Sequence, residues 1–254
     1  MPKVPVMALV RTAYADVGTN RRGLARVASV WFLILCAFMM LTWGSLAMLA
    51  LGLPSFLAMV AVAVAWHRHV IEGAALTGWM APLDGRVLRY LWRSFLCTTV
   101  TFIGVGFALV GLTALLLMFT TGIDDIQFDN LINWEPMYGL VGIPVFYVFA
   151  RLQLVLPAAA IRDTVTGFVS SWRATRGNGW RLVLGMALVT IPIGAATRLL
   201  TGVLTDLAID TGSIALRLLT AVVSTGGDLL GAALLAAFLS QAYLFFRQQA
   251  ATQV

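Results

Sequence analysis

Residues 27–66 read VASVWFLILCAFMMLTWGSLAMLALGLPSFLAMVAVAVAW, without one charged side chain. A helix crosses the hydrocarbon core of a bilayer with about 20 mostly apolar residues. The run is therefore long enough for two crossings, divided at Gly52 and Pro54, residue types that punctuate helices and favour turns. The first span is expected over 27–51 and the second over 54–70, joined by a very tight turn. A transmembrane β-barrel would show short alternating segments instead.

The rest of the chain agrees with this stretch. Of 254 residues 60% are hydrophobic, and only 17 Lys and Arg and 11 Asp and Glu carry charge, 11% of the total. Soluble domains carry about 25% charged residues. So few charges cannot cover a soluble surface of this size, which excludes a soluble enzyme, a disordered chain and a nucleic-acid-binding module. Further spans are expected over about 92–121, 137–160, 182–204 and 228–246. The fold class is thus all-α, a polytopic bundle of six transmembrane helices with amphipathic interfacial segments. Residues 1–26 form a cytoplasmic or interfacial N-terminal segment, 27–246 the membrane domain and 247–254 a cytoplasmic tail. No connector is long enough for a separate soluble domain, and the polar start is too long for a cleavable signal.

Loop charges give the orientation, because Lys and Arg accumulate on the cytoplasmic side. Lys3, Arg11, Arg21, Arg22 and Arg26 precede the first span. Arg68, Arg86, Arg89 and Arg93 join the second to the third, and Arg162, Arg173, Arg176 and Arg181 join the fourth to the fifth. Arg247 follows the last. The alternate loops hold Asp124, Asp125, Asp129, Glu135, Asp206 and Asp210. Both termini are therefore expected in the cytoplasm. The sequence pI of about 10.0 follows from this asymmetry and gives no reason to expect nucleic acid. A basic, aromatic-tinged stretch enters each odd span, which suggests three helical hairpins.

Within this frame a few residues invite chemistry. Residues 6–17 place Leu9, Val10, Ala13, Tyr14 and Val17 at helical spacing, a short amphipathic helix expected in the membrane interface. Arg151 and Arg198 stand as charges inside spans, where an unpaired Arg facing lipid costs at least ~2.5 kcal/mol. Arg151 reads either as a substrate or lipid-phosphate site or as a structural pair with Glu72; Pro144 and Pro157 flank it and break its span. Arg198 has Asp206, Asp210 and Asp228 as plausible partners. His67 and His69 point to different helix faces and cannot chelate one ion, so they are expected among lipid headgroups, with no metal and no cofactor. Residues 206–227 are mixed and read as an interfacial or re-entrant helix. Cys36 and Cys97 lie in spans as small packing residues. Gly227 and Gly231 permit close helix contact.

The most distinctive string is SWRATRGNGWR over 171–181. Gly177, Asn178 and Gly179 can end one helix through a left-handed turn and start the next. Trp172, Arg173, Arg176, Trp180 and Arg181, with Arg21 and Arg22 at the N-terminal side, suit anionic lipid headgroups or a partner interface.

Residues 151–158, RLQLVLPA, followed by Ser170-Ser171-Trp172 and by Thr175 to Leu182, carry a resemblance. With Ala65-Trp66-His67-Arg68-His69-Val70, they resemble uncharacterised six-helix bacterial inner-membrane proteins related to the membrane-anchor domain of glycerophosphoryl diester phosphodiesterases. The resemblance implies an inner-membrane six-helix domain and no activity, since the phosphodiesterase chemistry belongs to a separate domain. The expected function is a non-enzymatic membrane scaffold or accessory subunit. It would associate with membrane lipids, another membrane protein or a second copy. The alternative is a small transporter or lipid-handling protein that uses Arg151.

Overall fold

The computed structural model describes residues 3–43, 45–46, 51–76, 85–107, 110–111 and 135–251, and all regular structure among them is helical. In chain order the helices are α1 Val6–Thr19, α2 Arg21–Thr42, α3 Gly52–Glu72, α4 Gly85–Thr98, α5 Glu135–Leu152, α6 Val155–Ala160, α7 Phe168–Ala174, α8 Gly179–Thr211 and α9 Ile214–Ala251. A π-helical stretch, Thr99–Val105, continues α4. Among the described residues five helices are long and apolar enough to cross a membrane: Arg21–Thr42, Gly52–Glu72, Gly142–Ala160, Gly179–Thr211 and Ile214–Ala250. The expected third span lies partly outside the described residues, and so does nearly all of the acidic loop that holds Asp124, Asp125 and Asp129.

The first crossing ends earlier than the sequence suggests. Helix α2 stops at Thr42, and Gly52 and Pro54 fall in the first turn of α3 rather than in a connecting turn. Proline is tolerated there because a first-turn N–H has no intrahelical acceptor to lose.

The long hairpin α8–α9 forms the spine of the bundle. With 33 and 38 residues, the two helices are about 50 and 57 Å long. Gly212 turns the chain between them in the left-handed region, φ 65°. Residues 206–227, expected as a separate interfacial or re-entrant helix, are instead the end of α8 and the start of α9. Arg217 sits one turn into α9, its guanidinium 5.8 Å from the Trp43 ring centroid. Glycines set the spacing of the hairpin: a Cβ on Gly185 would collide with the Phe238 ring, and one on Gly227 with the Thr197 side chain. Phe238, Leu234, Leu239, Trp66 and Val64 pack in the centre, all almost fully buried.

Helix α1 shows the apolar face read from the sequence, but protein covers it. Val6, Val10, Ala13 and Val17 are buried, and α1 packs on α8 and α9. Tyr14 Oη donates to the Leu188 carbonyl at 3.2 Å, and Gln241 Nε2 donates to Asp16 Oδ2 at 3.3 Å. The expectation of a helix resting in the membrane interface did not include this neighbour, because periodicity finds an apolar face and not what meets it.

Pro157 breaks the apolar helix 142–160 one turn upstream of itself. Lacking an N–H, it cannot bond the carbonyl of Gln153, and its ring crowds that carbonyl. The Leu156 N–H takes the Gln153 oxygen at 3.0 Å, in a tighter turn between α5 and α6. Pro144 stays inside α5.

Candidate functional site

Two polar sites grow from this break. The first surrounds Arg151, at the end of α5 and only 7% exposed. Its Nε donates to Thr175 Oγ1 at 3.1 Å and its Nη2 donates to the Trp172 carbonyl. The guanidinium lies 3.5 Å from the Trp172 ring centroid and 5.6 Å from that of Tyr147. Ser171 Oγ returns a bond to the Arg151 carbonyl at 2.6 Å. The charge is thus solvated by a carbonyl, a hydroxyl and two aromatic faces, all neutral. Glu72, the partner expected from sequence, is held by Arg68 at 3.3 Å and Arg86 at 3.2 Å.

The 171–181 string folds as its glycines suggest. Helix α7 ends at Ala174, Gly177 takes φ 74°, and α8 starts at Gly179. A Cβ on Gly179 would collide with the Tyr147 ring, so this corner must be glycine to approach α5. Trp180 packs on Tyr147 at 4.9 Å between ring centroids. The N-terminal segment closes over the corner: Val4 N–H donates to Asn178 Oδ1 at 3.0 Å and Arg181 Nη1 donates to the Val4 carbonyl at 2.9 Å. Arg173, Arg176, Trp172 and Trp180 keep exposed surface, as do Arg21 and Arg22 at the start of α2.

Asp163, the one acid in the basic 161–181 connector, had no role in the sequence reading. It accepts from Val165 N–H at 2.8 Å, Thr166 Oγ1 at 2.6 Å and Tyr243 Oη at 2.6 Å. Burial pushes its carboxyl up, but the hydrogen bonds from Thr166, Tyr243 and the backbone outweigh this and hold it below its ordinary value. It ties the α6–α7 loop to α9.

The second site is an open cavity of about 440 Å³ lined by α3, α4, the α5–α6 break, α8 and α9. Its walls are mostly apolar, with Met59, Val60, Ile193 and Leu235 among them. Polar groups enter at two places. Tyr90, Ser94 and Thr98 repeat every four residues on one face of α4, near Gln153 at the break. Arg198 and Asp228, both exposed, border the cavity elsewhere. Of the partners expected for Arg198, Asp228 borders the same cavity without an ion pair to it among the described residues, and Asp206 and Asp210 stand further along α8. Gly194 and Gly231 also border the cavity, and a Cβ on either would meet nothing within 4 Å. Gly231 therefore does not serve the helix contact expected of it, whereas Gly227 does.

Behind Tyr90 lies His67, fully buried rather than placed among headgroups. Its Nδ1 is 2.7 Å from Ser240 Oγ and its Nε2 is 3.3 Å from Tyr90 Oη. His69, on another face, bonds the Ala74 carbonyl at 2.9 Å. No sequence signal pairs residues 67 and 240, since their meeting depends on how α3 crosses α9. Gln153 is 3% exposed and its Oε1 has no hydrogen-bond partner. Cys36 and Cys97 are buried free thiols, and among the described residues no group of potential metal ligands is found.

No curated protein and no solved structure matches the chain. One family model does, a domain of unknown function, over residues 86–249. The match covers α4 to α9, and with them Tyr90, Arg151, Gln153, Arg198 and Asp228. Because it spans more than half of the residues, the chain belongs to the DUF7847 family.

Proposed function

We propose that the protein is a non-enzymatic membrane-embedded binding protein of the lipid-handling class, which takes an amphipathic molecule into the cavity. The observation that carries this reading is the cavity itself: apolar walls, few polar groups, and two helical glycines facing open space. Its volume falls in the ordinary range of small-molecule sites, about 300–1,000 Å³. Glycine inside a helix costs about 1 kcal/mol relative to alanine. Gly194 and Gly231 bear that cost without a packing partner, which favours a space kept open for an occupant. The lipid-handling role moves from Arg151, whose guanidinium is engaged with α7, to this cavity.

The apolar runs and loop charges support six spans with both termini cytoplasmic, and the resemblance supports a bacterial inner membrane. The distant relation to phosphodiesterase anchor domains rests on the short motifs around Arg151 and Trp172.

Native mass spectrometry after mild extraction tests the binding reading. One amphiphile per chain is expected on the wild type and none on Gly231→Leu, whose Cβ enters open space at the cavity wall. Loss of the fold in that variant is checked by circular dichroism. If both proteins carry the same amphiphile, or neither carries one, the reading fails. A second reading, the scaffold or accessory subunit, draws on the exposed Trp172, Arg173, Arg176 and Trp180 at one corner, which suit anionic headgroups or a membrane partner. A stoichiometric protein partner that leaves on Arg173→Glu with Arg176→Glu would favour it.

A further inference from the structure

Arg21, Arg22 and Arg26 stand within the first two turns of α2. All three are exposed, and among the described residues no carboxylate pairs with them. Asp16, the closest acid along the chain, accepts from Gln241 instead. The rotation of α2 is fixed by what it packs on: a Cβ on Gly23 would collide with the Leu76 side chain, and Val27, one turn on, is 1% exposed. Between another face of α2 and α9 runs a groove of about 280 Å³, lined by Ala25, Ala28, Ser29 and Phe32 on one side and by Gly226 and Leu229 on the other. It shares no lining residue with the cavity described above. Its walls are almost wholly apolar, and the Ser29 hydroxyl is turned away onto the Arg26 carbonyl at 3.2 Å.

Helical spacing puts arginines at the head of this groove. Arg21 precedes Ala25, Ala28 and Phe32 on one stripe, and Arg22 precedes Ala25 and Ser29 on the next. Side chains on a helix lean toward its N-terminus, so both stems leave the groove and carry their charges past its mouth. From Leu24 to Phe32 the groove follows α2 for about 12 Å, most of the ~15 Å that one leaflet contributes to the hydrocarbon core. Its volume over that length makes a slot for an extended chain, too narrow for a helix about 10 Å across. We infer that the groove seats one acyl chain of an anionic phospholipid whose phosphate head lies on Arg21 and Arg22. Guanidinium groups match phosphate oxygens in geometry as well as charge. A zwitterionic head would add an ammonium beside two guanidinium groups. The bundle thereby holds a bound lipid on the α2 side of α9, separate from the amphiphile of the cavity.

The test uses the full chain, delipidated in detergent and titrated by native mass spectrometry with dioleoyl phosphatidylglycerol or dioleoyl phosphatidylcholine, which share their chains. The anionic lipid is expected to bind about tenfold more tightly, since each basic side chain near a headgroup contributes a factor of about five. Arg21→Gln with Arg22→Gln should make the two lipids equal. Arg173→Gln with Arg176→Gln, at the other basic corner, should leave the preference intact. Ala25→Leu with Ser29→Leu, at two exposed positions, should fill the groove and remove one lipid of either kind from each chain. Equal binding of the two lipids to the wild type, a preference lost as fully at Arg173 and Arg176, or an undiminished lipid count on the filled groove overturns the assignment. So does a dimer that the filled groove dissociates while the lipids bind equally, which would put a second copy there. Should the variants not fold, a phosphatidylglycerol with a diazirine in its acyl chain decides on the wild type. Crosslinks are expected within 24–32 and 226–230, and crosslinks confined to other segments overturn the site. None of these outcomes depends on the cavity, whose own test is Gly231→Leu.

Discussion

Arg151 and Gln153 are two residues apart at the end of one helix, and both are buried. Their surroundings differ in kind. Arg151 has its nitrogens on Thr175 and the Trp172 carbonyl and its flat face on indole. Gln153 has a carbonyl oxygen with nothing to accept from. A charged residue inside a span is the more conspicuous of the two, yet a satisfied polar cluster serves to hold helices together, while an unsatisfied buried oxygen holds nothing. The contrast teaches that hydrogen-bond accounting, more than charge, tells which buried polar residue clasps the helices.

The largest break in this comparison should come from Arg151→Leu. It removes the hydrogen bonds and the stacking that clasp α5 to α7, and should cost about 3 kcal/mol, read as a lowered unfolding midpoint in detergent. Arg151→Lys should recover less than half of it, because an ammonium has no flat face and no fork. A stability unchanged by Arg151→Leu would sink the clasp and return Arg151 to the list of ligand sites.

Next comes a pair of glycines one turn apart. Gly227→Val drives a side chain into Thr197 and should cost about 2 kcal/mol. Gly231→Ala faces open space and should stabilise slightly, by up to ~1 kcal/mol. Equal effects at the two positions would mean that the cavity closes on itself.

Asp163 supplies a smaller, pH-dependent effect. Its folded value is depressed, so its contribution to stability is complete above the ordinary Asp value, 3.8, and is lost as pH falls through the lower folded value. Unfolding midpoints of the wild type should drop across that acidic window, and Asp163→Asn should flatten the slope. At neutral pH that variant should lose about 1 kcal/mol, since the amide accepts less well from Tyr243 and Thr166.

Smallest of all should be Gln153→Leu. Replacing an unsatisfied buried carboxamide by an apolar group of similar size should leave stability unchanged or raise it slightly. A cost of several kcal/mol would show that Gln153 is a structural residue like its neighbour two positions earlier.

Much of the architecture was legible along the chain. The apolar runs located α2, α3, α8 and α9, and the buried face of α1 was marked by Val10, Ala13 and Val17. Gly177 announced its left-handed turn. The ends of α2 and α3 were misplaced because Gly52 and Pro54 are equally at home in a turn and in a first helical turn. The site was far less legible. His67 looked like one of two interfacial histidines, since nothing near it in sequence names Ser240 or Tyr90. Asp163 lay hidden in a basic connector, and Arg151 drew attention away from Gln153.

By itself the sequence determined long helices that are apolar enough to cross a membrane. Apolar runs and backbone hydrogen bonds are local, so every residue votes on them from its own neighbourhood. Only the tertiary structure decided which polar groups are satisfied. Trp172 reaches Arg151 and Ser240 reaches His67 because separate helices cross there, and Gln153 Oε1 is buried without a partner because the helices packed around it bring no donor to it.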